Sequence, residues 1–152
     1  MDNEKTIDVL NSLIIINNDR IDGYETAAEE TEEHYLRTLF AQFSATSRKC
    51  KQELINEVSN LGGEAAEGTM TSGKLFRVWM DVKAAITGKN SKAILNSCEY
   101  GEDIALGIYK DVLENEVEHL NTKQLNMINI QRLLIKIDRN TIKSMHDVLA
   151  EV

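Results

Sequence analysis

Apolar residues recur along the first part of the chain at alternating spacings of three and four: Ile7, Leu10, Ile14, Ile21, Tyr24 and Ala28, with Asn17 filling one missing step. This is the period of a helix with a single buried stripe, and it predicts a helix from Asn3 to about Thr31. The polar interruption EETEEHY separates it from a second stripe, Leu36, Leu39, Phe40, Phe43, Cys50, Leu54, Val58 and Leu61, which predicts a helix from about His34 to Leu61. So short a break makes the two helices antiparallel neighbours. The run LGGEAAEGTMTSG carries four of the eight glycines, enough to end the second helix at Gly62 and hold an irregular connection. Ser72 to about Thr87 reads as a shorter helix with Leu75, Phe76, Trp79, Val82 or Lys83, and Ile86 on one side, closed by Gly88. A third long helix begins near Asn90 or Ser91, either of which suits an N-cap, and reaches about Glu116. The fourth runs from about Asn121 to the end, with Ile128, Ile135, Ile142, Met145 and Leu149 in register.

Helices of about 28 residues extend for about 42 Å, too long for globin-like packing and suited to a four-helix bundle. Short links join helices one to two and three to four, and a long link holding the short helix joins the pairs. That connectivity is the ferritin-like arrangement, with the short helix as the crossover. The chain of 152 residues fits one domain, and it contains no proline and much Leu, Ile, Ala, Glu, Lys and Asn. The class expected is all-α.

The formal net charge of −8, with lysines and arginines scattered along the chain, disfavours nucleic acid and anionic membranes as partners. The beginning MDNEKTIDVL has no basic region followed by an apolar core, and no apolar run approaches the ~20 residues of a membrane span. A cytoplasmic protein is expected. Cys50 and Cys98 form no disulfide framework, and both lie on apolar faces, where free cysteine behaves as a small hydrophobe.

Each long helix breaks its own stripe near the middle. In SCEYGEDIALGIYK the stripe Leu95, Cys98, Glu102, Ala105, Tyr109, Val112 contains a carboxylate, which is costly in a core unless paired, hydrogen bonded or bound to metal. Glu99 lies one turn before it. Helix one offers Asn17, helix two Ser47 beside Cys50 with Glu53 at the stripe edge, and helix four Gln131 and Asp138. Four interruptions at similar depth predict one shared polar layer. Di-iron carboxylate bundles build such a layer from a glutamate on each of two helices and a Glu-x-x-His pair on each of the other two. Glu99 and Glu102 have the required spacing. Asn17 stands where a carboxylate is wanted, Cys50 and Glu53 are the corresponding pair on helix two, and helix four supplies no histidine. His34 and His119 fall near helix ends, His146 lies close to the C-terminus, and the formal pair Glu116 and His119 sits far from the layer.

Three readings of the layer stay open. A network of Asn, Gln, Ser and acid side chains can fix helix register without binding anything. Alternatively Glu53, Glu99, Glu102 and Asp138 can hold iron or manganese, ions that suit carboxylate and amide oxygens. A desolvated Glu99 or Glu102 can also stay protonated and share its proton. Glu25 reads as a solvated rim charge. Tyr24 and Tyr109, each seven residues after Asn17 or Glu102, read as phenols closing the two stripes or as a sign of quasi-twofold repetition. Trp79, with Arg77 and Lys83, reads as the anchor that docks the short helix or as part of an interaction patch with Phe76.

The segments LNSLIIINNDRIDGYETAAEE, KQELINEVSNLGG, TSGKLFRVWMDVKAAITGK and ILNSCEYGEDIALGIYKDVL resemble, in this order, a family of small bacterial ferritin-like four-helix-bundle proteins of unassigned function. The resemblance extends through about Leu113 and is looser in the last helix. It implies the ferritin-like fold and a cytoplasmic bacterial protein associated with stress conditions, and it implies no established enzyme activity. Against the wider rubrerythrin and ferritin group, Glu53, Glu99 and Glu102 occupy ligand-like positions, while the histidines and the helix-one glutamate are missing. The expectation is a non-enzymatic, homodimeric bundle with a degenerate central site. The alternative is a divergent di-metal carboxylate oxidoreductase in which Glu99 and Glu102 carry the ions and Glu53 and Asp138 complete the shell.

Overall fold

The computed structural model describes residues 3–150. Among them are five α-helices and no strand: α1 (Asn3–Glu30), α2 (His34–Asn60), α3 (Gly73–Thr87), α4 (Ser91–Asn115) and α5 (Thr122–Ala150), with a 3₁₀ turn at Val117–His119 before α5. Local chemistry explains the ends. Gly62 takes a positive φ of 80°, its N–H bonds Ser59 O, and Gly63 N–H reaches back to Val58 O. These two bonds are a Schellman motif, and they stop α2 where the glycine pair begins. The Asn90 side chain accepts from Ala93 N at the start of α4. Asn121 and Gln124 exchange side-chain to backbone hydrogen bonds of 2.8 and 2.9 Å, a capping box that opens α5.

α1 packs along α2 and α4 along α5; the pairs meet where α2 faces α5 and α1 faces α4, and α3 lies against α4 and α1. Two glycines bring α3 close. A Cβ on Gly101 would stand 2.8 Å from Val78, and one on Gly23 would stand 2.4 Å from the Trp79 ring. Trp79 is seated edge-on against Tyr24, with centroids 5.0 Å apart. These approaches also set the phase of α3, and they correct its predicted inner stripe. Leu75, Val78, Val82 and Ile86 are buried, whereas Phe76 faces outward. Val78 takes the inward place because it is the side chain that fits over Gly101.

The connection at 61–72 is tied to α1. Asn11 donates to Glu64 O and accepts from Ala66 N, Asn18 donates to Gly68 O, and Asp19 accepts from Met70 N. Between α1 and the other long helices the apolar interior forms two main clusters. One gathers Tyr24, Leu36, Phe40, Phe43, Leu95, Cys98 and Ile142; the other gathers Leu10, Leu13, Ile14, Leu54, Val58, Tyr109, Val112, Ile128 and Ile135. On each long helix a buried polar residue lies between these two sets: Arg20, Ser47, Glu102 and Asp138.

Candidate functional site

At the junction of the two apolar clusters lies a fully buried arginine. Arg20 donates through Nε to Glu102 Oε1 at 2.8 Å and through Nη2 to Glu102 Oε2 at 2.7 Å, the two-pronged geometry that matches a planar guanidinium to a carboxylate. Nη2 also reaches Asp138 Oδ2 at 3.1 Å, and Nη1 donates to Ser47 Oγ at 2.5 Å. The guanidinium carbon stands 5.5 Å from the centre of the Tyr24 ring, within cation–π range. Gln42 donates to the other oxygen of Asp138 at 3.4 Å. The cluster thus takes Arg20 from α1, Ser47 and Gln42 from α2, Glu102 from α4 and Asp138 from α5.

The predicted single polar layer is in fact two. Seven residues further along α4 and seven back along α5, about 10 Å at helical rise, a second cluster is neutral at its centre. Tyr109 donates to Gln131 Oε1 at 2.8 Å and accepts from Asn17 Nδ2 at 2.9 Å; Asn17 also donates to Leu13 O. Gln131 donates to Cys50 O and to Glu53 Oε1 at 3.0 Å. Glu53 leads this chain to the surface, where Lys49 pairs with it. Because Asn17 and Glu102 occupy different clusters, they are not counterparts across a repeat. The Tyr109 phenol closes the neutral cluster, whereas Tyr24 presents its ring to the charged one.

Glu99 belongs to neither cluster. It pairs with Arg139 Nη2 at 3.2 Å and with His146 Nδ1 at 3.2 Å, and Arg139 also holds Asp103. His146, which chain position alone places too near the C-terminus to matter, therefore reaches Glu99, because α5 runs antiparallel to α4 and passes its last turns beside the start of α4. Glu25 pairs with Arg48 at the surface, and His119 stands beside Glu116 and Glu118 in the 3₁₀ turn. The three-and-four spacing of the α1 stripe selects Ile21 and passes over Arg20 beside it. The signal was present: Leu10, Leu13, Asn17, Arg20, Tyr24 and Ala27 are the buried positions at helical spacing, with Ile21 at their edge.

The family described as "Domain of unknown function (DUF2383)" matches residues 5–115, from the first turns of α1 through the end of α4. The chain belongs to this family. No curated protein matches it. The DUF2383 match contains Arg20, Ser47 and Glu102, while Asp138 and Gln131 come from α5, beyond it.

The electrostatics of the DUF2383 chain follow from burial. Desolvation pushes the Glu102 carboxyl above its usual range, and the guanidinium opposes that push. Glu102 in turn holds Arg20 firmly protonated despite its burial. Burial raises the Cys50 thiol to about 12 and the Cys98 thiol further, so both are unreactive packing groups. As placed, the four carboxylates do not fit one or two shared ions. Both oxygens of Glu102 face a fixed cation, Glu53 and Glu99 are bonded elsewhere, and among the described residues no group of three or more His, Cys, Asp or Glu side chains is arranged to hold a metal.

Proposed function

We propose that this protein is a non-enzymatic, ferritin-like four-helix bundle of the bacterial cytoplasm, with α1, α2, α4 and α5 as the bundle, α3 as the crossover and Arg20 as the resident cation of its central site. The two-pronged contact between Arg20 and Glu102 carries this reading. A guanidinium occupies the charge position that a metal ion takes in a carboxylate bundle, and it brings no redox chemistry or open coordination position. What such a cluster supplies is register. It draws one partner or more from each long helix, and sliding α1 against α4 by a turn would part Arg20 from Glu102 and strand a buried charge, a cost of about 3–5 kcal/mol. The work of the protein then lies at its surface, in association with copies of itself or other proteins.

The competing reading is an oxidoreductase with iron or manganese on Glu53, Glu99, Glu102 and Asp138. Elemental analysis of freshly purified protein, taken before any chelator and again after incubation with iron(II) or manganese(II), separates the two. The ion-cluster reading expects no stoichiometric metal and a melting temperature unchanged by chelator, since only a ligand bound to the native state stabilises it by mass action. Near-stoichiometric iron or manganese that disappears in Glu102→Ala would overturn it.

A further inference from the structure

Two surfaces remain unpartnered. The first is the outer face of α5, where Ile130, Leu133 and Ile137 are exposed at the i, i+3, i+7 spacing of one helical stripe; Ile137 is 58% exposed. Lys136 flanks this stripe with no ion-pair partner among the described residues, and Arg132 lies beside it, held only by Asn129. The second is a groove of about 250 Å³ between α1, α3 and the connection before α3. Phe76, Met70 and Met80 line it and are exposed, Met80 by 53%; its charged lining is Asp22 and Glu30 on α1, the buried Asp19 that holds Met70 N–H, and one cation, Lys83 on α3.

We propose that the α5 face of one copy docks into the α1/α3 groove of a second copy, so that the chain associates head to tail. An amphipathic helix laying apolar anchors at i, i+3 and i+7 into an apolar groove is a recurrent mode of recognition. Charge selects the pairing. Two α5 faces brought together would oppose Lys136 and Arg132 to their own copies, and two grooves would bring together two walls with more acid than base. α5 against groove sets the basic flank of α5, Lys136 and Arg132, toward a wall on which Asp22 and Glu30 outnumber Lys83, while the apolar stripe covers Met80 and Phe76. One copy cannot serve itself, because α5 packs on α4 and α2 while the groove lies where α3 meets α1. Such a contact is heterologous, and it closes as a ring or runs on as a filament instead of ending at a symmetric pair.

The inference rests on the surface role proposed above, but it is read by mass and not by metal content, so the two fail separately. Sedimentation velocity of the full chain over a range of concentrations should show species that grow beyond a dimer and shrink as salt is raised. Ile137→Glu and Met80→Glu should each weaken association by about thirtyfold, the loss of one hot-spot side chain. The decisive sample is their equimolar mixture: the intact groove of the first variant and the intact α5 face of the second should form a one-to-one complex and nothing larger. Wild-type protein that stays monomeric, variants that associate as before, or a mixture that forms no complex would overturn the proposal. Should either glutamate variant lose its helicity, the exchange Lys136→Glu with Asp22→Lys tests the same contact. Each change alone should weaken association, the two together should restore it, and failure to restore would overturn the pairing.

Discussion

The two polar clusters share a plan and differ in charge. Each draws on α1, α2, α4 and α5, one through Arg20, Ser47, Glu102 and Asp138, the other through Asn17, Glu53, Tyr109 and Gln131. The first is sealed and ionic, while the second is neutral at its core and opens to solvent through Glu53. The ion cluster is intolerant at its cation, since removing Arg20 leaves two carboxylates unpaired in a medium that cannot solvate them. The neutral cluster loses only hydrogen bonds when it loses a member. Both hold the helices in register, and the charged one does so with the greater penalty for error.

The largest expected effect breaks the charged cluster. Arg20→Met leaves Glu102 and Asp138 buried without their cation and should cost about 3–5 kcal/mol in urea unfolding. Replacing all three together, Arg20→Met with Glu102→Leu and Asp138→Leu, should recover most of that loss. Recovery would show that the ions specify the fold more than they stabilise it, and its absence would show a net stabilising cluster. In the neutral cluster, Tyr109→Phe removes the donor to Gln131 and the acceptor for Asn17, and should cost about 1–3 kcal/mol by the same measurement. A loss equal to that of Arg20→Met would erase the distinction between the clusters.

The smallest effect concerns a buried carboxyl that lacks a guanidinium. Desolvation raises Asp19 from 3.8 to about 6, with Asp22 adding to the rise and the Met70 N–H opposing it. Its folded-state value exceeds its unfolded one, so the folded chain binds the extra proton between these values. The cost of the ionised form is present above pH 6 and is relieved as the pH falls toward 4. Melting curves should show wild type gaining stability over Asp19→Asn as the pH is lowered from 7 to 5. A difference independent of pH would contradict the shift.

Helix boundaries were legible because they rest on local chemistry. The glycine pair at Gly62 and Gly63, the Asn90 cap and the reciprocal Asn121 and Gln124 bonds each end or begin a helix within a residue or two of where periodicity places it. Glu102 was legible too, as a carboxylate on an otherwise apolar stripe. Its partner was not. Periodicity scores a charged residue on a stripe as noise, and with Ile21 beside it Arg20 did not interrupt the pattern. The distinction between two clusters depended on the relative shift of antiparallel helices, which spacing within a single helix does not encode. Phe76 was misplaced for a similar reason, since the phase of α3 is set by a glycine on another helix.

The ties between α1 and the connection after α2 have a consequence for how this protein can vary. Asn11, Asn18 and Asp19 grip the peptide groups of Glu64, Ala66, Gly68 and Met70, and none of these bonds involves a side chain of the connection. The path of that segment is therefore written in α1, and Glu64, Glu67 and Thr69 are free to drift or to carry a label or epitope without loosening it. Substituting the three α1 residues would instead remove these polar ties and leave the stretch held by the packing of Gly63 on Ile7 and of Ala65 and Ala66 on the second apolar cluster.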